Sequence, residues 1–115
     1  MTSNGRLINF NESIIKKLIE TIRPPIEARD QVDIDYKFEN NTLEIFEIRP
    51  RWDNKEEKVQ TPIVKTKLIK SRGIWKNYWM RASGKWESYE PNPEVDDLSN
   101  FFEILKEDKY GCFWG

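Results

Sequence analysis

The chain has 115 residues, 37% hydrophobic and 34% charged, with 19 basic and 20 acidic side chains and a net charge of −1. That length suits a single domain over residues 1–115 with one cooperative core. It has no histidine and one cysteine, which excludes Ser-His-Asp and Cys-His catalysis in cis, His-containing zinc sites and an internal disulfide.

In chain order, Ile14, Ile15, Leu18, Ile19 and Ile22 recur at helical spacing and predict an N-terminal helix with one apolar face. Asn9 with Glu12, or Asn11 alone, can cap its start, and Pro24–Pro25 ends it. Val32, Ile34, Tyr36 and Phe38 then alternate with charged residues, the period of a half-buried strand. Asn40–Asn41 suits a tight two-residue turn, which pairs Phe38 with Leu43 and Tyr36 with Ile45. Residues 53–62 read as a polar loop. Turns at Arg72–Gly73 and Ser83–Gly84 divide residues 63–90 into a three-stranded meander. A second helix is expected from about Asn92, with Pro93 in its first turn and Val95, Leu98, Phe102 and Leu105 facing inward. The expected fold is α+β: a five-stranded antiparallel sheet, hairpin plus meander, with N- and C-terminal helices packed on one face.

If both meander turns hold two residues, Val64, Thr66, Leu68, Trp75, Trp79 and Trp86 share a face suited to the core. The other face then carries Lys65, Lys67, Ile69, Lys76, Tyr78, Met80, Glu87 and Tyr89. Interleaved lysine and tyrosine is the combination by which single-strand binders join phosphate attraction to base stacking. The charge distribution points the same way. Residues 58–86 hold eight basic side chains and no acid, leaving eleven basic against twenty acidic elsewhere. Such asymmetry suggests an anionic partner for one face. The plainer alternative is a solvated strand surface whose lysines block edge pairing.

Other groupings are weaker. "FEIRPRW" brings Glu47, Arg49, Arg51 and Trp52 together, either as a structural Glu–Arg pair or as two forks beside an indole that hold a phosphate or carboxylate. Asp33, Asp35, Glu44 and Glu47 are the only carboxylate cluster on strands, but Glu47-x-Arg49 lacks the lysine that Mg²⁺-dependent nucleases use. Lys65, Lys67, Lys76, Arg81 and Tyr78 would permit a metal-independent RNase. Cys112 has no general base to activate it, and "YGCFWG" is apolar enough to tuck against the sheet or to form a homodimer contact. The glycines form no phosphate-cradling pattern, no apolar run is long enough to span a membrane, and the N-terminus lacks a signal-peptide core. A cytoplasmic protein without cofactor, metal or membrane partner is therefore expected.

"RPP…RDQV" (23–32), "FEIRPRW" (46–52), "IWKNYWMRASGKWESYEP" (74–91) and the terminal "YGCFWG" (110–115) together resemble small bacterial proteins known as domain-of-unknown-function family 3024. The resemblance covers about residues 23–115 and implies a single bacterial cytoplasmic domain, with no assigned activity. The leading functional expectation is a non-enzymatic module contacting nucleic acid or another polyanion through Lys65, Lys67, Lys76, Tyr78 and Tyr89, with Arg49 and Arg51 as further ligand-binding candidates. A protein-interaction or homodimeric module is the alternative, and an RNase the third reading.

Overall fold

The computed structural model describes residues 12–114. Helix α1 is described over 12–20, so its expected cap at Asn9 or Asn11 lies outside the described residues. A 3-10 turn at Ile26–Ala28 follows the two prolines. The strands are β1 (Asp33–Glu39), β2 (Thr42–Pro50), β3 (Lys58–Ile69), β4 (Ile74–Met80), β5 (Trp86–Ser88) and β6 (Glu94–Val95), and helix α2 (Leu98–Glu107) closes the chain. The sheet is antiparallel in the order β1-β2-β3-β4-β5, with β6 also paired to β4. This is the expected α+β fold with one extra short strand.

The hairpin forms in the anticipated register, Phe38 opposite Leu43 and Tyr36 opposite Ile45. Asn40 and Asn41 take φ of 53° and 58°, the left-handed pair that matches the twist of the flanking strands. A bulge then shifts the β2–β3 register between Ile45 and Phe46. Strand β3 reaches back to Lys58, because β2 runs on to Pro50 and needs a partner. The polar loop is correspondingly shorter than the sequence suggests.

One core joins Ile15 and Ile19 of α1, Ile34, Leu43, Ile45, Val64 and Trp75 of the sheet, and Leu98, Phe101, Phe102 and Leu105 of α2. Strand alternation places all these sheet residues on one face. Both helices therefore lie on that face and leave the other uncovered among the described residues.

Strand β6 corrects the expected start of α2. Glu94 and Val95 pair with Lys76 and Trp75, and the helix begins at Leu98 behind Asp97, whose carboxylate accepts the Asn100 N–H at 2.8 Å. The helix ends where Asp108 turns left-handed at φ 40°. The Asp108 side chain then accepts the N–H groups of Phe113 and Trp114, and the Trp114 indole donates to the Leu105 carbonyl at 2.9 Å. The terminal segment is thus tied to the helix end, with Phe113 in the core.

The free edge of β1 is closed from within. Asp33 Oδ1 accepts the Ile34 N–H at 2.7 Å and Asp35 Oδ1 accepts the Tyr36 N–H at 2.8 Å, occupying donors that would otherwise invite a further strand. Asp33 also receives two bonds from the Arg23 guanidinium, at 3.0 and 2.8 Å.

Arg23 holds the Asp33 carboxyl below its ordinary value. A carboxyl lowered by folding contributes stability above its unfolded pKa and loses that contribution as pH falls through the lowered folded value. Asp33→Asn is therefore expected to cost about 1–2 kcal/mol near neutral pH. The gap from the parent protein should close as pH falls below about 4, and urea unfolding across pH measures it.

Candidate nucleic-acid interface

The uncovered face is set by three strands. Lys65 and Lys67 of β3 stand opposite Tyr78 and Lys76 of β4, as alternation suggests. The face changes at the next turn. Residues 81–85 form a five-residue connection, with the Arg81 N–H donating to Lys85 O at 2.9 Å and the Gly84 N–H to Arg81 O at 2.8 Å. Gly84 takes φ 84° there, a conformation that favours glycine. Met80 consequently pairs with Trp86, Trp79 with Glu87 and Tyr78 with Ser88.

One residue of slip reverses the facing of every side chain beyond it. Trp86, expected in the core, joins the lysine face. Glu87 moves to the helix side and pairs with Arg81 at 2.8 Å. Tyr89, expected among the ligand-binding residues, is 1% exposed in the core, edge-on to Trp79 and tilted against Phe113. That correction removes Tyr89 from the site. No local signal in the sequence separates a five-residue turn here from a two-residue one.

Lys65 sits between two rings, its ammonium 5.4 Å from the Tyr78 centroid and 4.7 Å from that of Trp86. The lysine stem and both rings thereby build one half-exposed platform. Beside it, Lys67 and Lys76 face each other directly across the strands. Like charges so placed are destabilising, yet among the described residues neither lysine makes an ion pair. Glu94 stands opposite Lys76, but its two oxygens are taken by Arg72 at 3.0 and 3.2 Å.

The remaining candidates lie elsewhere. Arg49 is bound to Glu47 at 2.6 Å, and Arg51 to Asp53 and Glu57 at 2.7 Å each. Arg49 pairs with Val59, some 20 Å along β3 from Lys65 at the strand rise per residue. The Arg51 fork is thus committed to two carboxylates and Arg49 bonds one through its Nε, both remote from the lysine face. They border a cleft of about 540 Å³ with Trp52, which is 94% exposed. Arg81 stacks over Trp79 at 4.7 Å, on the helix side, so the five residues of the RNase reading are not brought together. Burial and Asp108 raise the Cys112 thiol pKa, which leaves it a weak nucleophile. Among the described residues no three metal-ligating side chains converge and no helix is long and apolar enough to cross a membrane.

The two tyrosines once grouped on one face should behave differently. Tyr89→Ala is expected to cost about 3–5 kcal/mol, as for a buried aromatic. Tyr78→Ala should cost about 1 kcal/mol. Urea unfolding of both variants checks the assignment.

A family model described as a domain of unknown function, DUF3024, matches residues 6–115, nearly the whole chain. No curated protein and no solved structure matches.

Proposed function

The chain belongs to the DUF3024 family, and from that premise we propose that it is a non-enzymatic module that binds single-stranded nucleic acid on its uncovered sheet face. The observation that carries this reading is the unneutralised Lys67–Lys76 pair beside the Lys65–Tyr78–Trp86 platform. A sheet that sets like charges side by side, with the adjacent carboxylate of Glu94 held by Arg72, sacrifices stability that an anionic partner would restore. Phosphates would lie against Lys67 and Lys76, and bases would stack on the Tyr78 and Trp86 rings.

Splayed bases reach such rings and stacked duplex bases do not, which favours a single strand. Helix α2 packs on the other face and leaves the lysines free to act. The lone Cys112 fits a reducing cytoplasmic setting. A second reading, as a protein-interaction module, draws on the exposed Trp52 at the β2–β3 loop. It predicts association that depends on Trp52 and responds little to salt.

Fluorescence anisotropy with labelled single-stranded RNA, single-stranded DNA and duplex at about 50 and 200 mM salt tests the proposal. Micromolar binding to single strands is expected, weakening with a log–log slope near −0.7 per phosphate contact. Lys67→Glu with Lys76→Glu should abolish it, and Trp86→Ala should weaken it by about 1–3 kcal/mol. Equal binding by the double variant would move the site off this face. Lys67→Thr should weaken binding while raising folding stability by a few tenths of a kcal/mol, since it relieves the like-charge pair.

A further inference from the structure

The uncovered face continues past Lys65 onto the hairpin. There Lys37, Glu39, Asn40, Thr42, Glu44 and Lys65 line a cleft of about 200 Å³. The cross-strand row through it runs Lys37 opposite Glu44 and Glu44 opposite Lys65. Lys65 then faces Tyr78, so the cleft adjoins the aromatic platform, with Glu44 two strand spacings, roughly 10 Å, from Tyr78. Glu44 is half-buried between two lysines. Among the described residues it forms no ion pair, and the nearby Lys37 is engaged with Glu39 at 3.2 Å.

A carboxylate amid lysines is out of place on a surface that only attracts phosphate, since it repels the ligand the face is proposed to hold. Its chemistry suits a base instead. An ionised carboxylate accepts hydrogen bonds and donates none. On the Watson–Crick edge, adenine and cytosine set an amine beside an unprotonated ring nitrogen, and uracil sets one N–H between two carbonyls. Guanine alone presents two adjacent donors, N1–H and the N2 amine, with O6 as an acceptor beside them. Glu44 supplies the two acceptors, and Lys37 or Lys65, whose ammonium groups rest on Glu39 and over the two rings, supplies the donor on turning toward a base held at Glu44.

Resting on the reading of this face as a single-strand platform, we infer that Glu44, with Lys37 or Lys65 beside it, forms a guanine-selective subsite next to the Tyr78–Trp86 platform. Glu44 accepts from N1–H and the N2 amine, and a flanking ammonium donates to O6. Bases without the paired donors leave the carboxylate facing an acceptor or making a single bond.

The test is anisotropy at about 50 mM salt with labelled single-stranded hexanucleotides, one all-uridine and the others carrying one central guanosine, inosine, adenosine or cytidine. Inosine keeps O6 and N1–H but lacks the N2 amine. The guanosine strand is expected to bind roughly tenfold tighter than the all-uridine strand, inosine to fall between them, and adenosine and cytidine to match uridine. Glu44→Gln, confirmed folded by circular dichroism, should bring the guanosine-to-uridine affinity ratio to about unity. Binding of all strands with equal affinity overturns the subsite while the platform stands, as does a preference that survives Glu44→Gln. Binding of none removes the platform and the subsite together.

Discussion

Asn77 lies 2% exposed in the middle of β4, and its side chain and backbone together hold three parts of the molecule. Its amide oxygen accepts the Thr66 hydroxyl at 2.7 Å, and its amide nitrogen donates to the Asn92 carbonyl at 2.8 Å. Its backbone N–H donates to Pro93 O, and its carbonyl accepts the Tyr89 N–H. A buried amide with an unpaired end would cost about 1–3 kcal/mol, so the segment 89–93 is held against β4. Tyr89 is thereby drawn into the core, β5 is confined to three residues, and the chain is delivered as β6 to the lower half of the same β4 edge. From there Asp97 starts α2 over the apolar face. Among the described residues the lysine face is left uncovered by this routing, because helix α2 is directed to the other side.

The outer face is a charged surface with unequal parts. Toward the hairpin the signs alternate, with Lys37 near Glu39 and Glu44 between two lysines. Toward β4 the acids among the described residues are absent or engaged: Glu94 is held by Arg72 and Glu87 has turned to the helix side with Arg81. The local excess of positive charge thus arises from where carboxylates are tied as much as from where lysines are placed. Phe46 adds to the character of this face. It is 9% exposed but lies outside the main core cluster, and alternation from Ile45 places it on the outer side near the bulge.

Much of this was readable from local pattern. The hairpin register followed from the Asn40–Asn41 turn and the alternation on both sides of it, because a two-residue turn leaves no freedom of register. The β3–β4 facing was also correct, although the connection holds four residues, Lys70–Gly73, between the paired Ile69 and Ile74. Four and two share parity, so every side chain kept its side. The next turn has five residues, and odd parity reversed Trp86, Glu87 and Tyr89 together. The start of α2 was misplaced because Pro93 and the acids after it resemble a first helical turn, while the deciding contact was the Asn77 N–H to Pro93 O bond from a distant strand.

Sequence alone determined the α+β class, the hairpin, the apolar faces of both helices and the basic stretch from Lys58 to Trp86, since each depends on periodicity, turn chemistry or charge counted along the chain. Tertiary structure decided which aromatics meet the lysines, which arginines are spent on carboxylates and whether an acidic element covers the basic face. Those outcomes turn on strand parity and on hydrogen bonds between residues far apart in sequence, such as Thr66 with Asn77 and Asn77 with Asn92. Neither is encoded in any single window of the chain, because a buried polar group selects its partner only once the strands around it have packed.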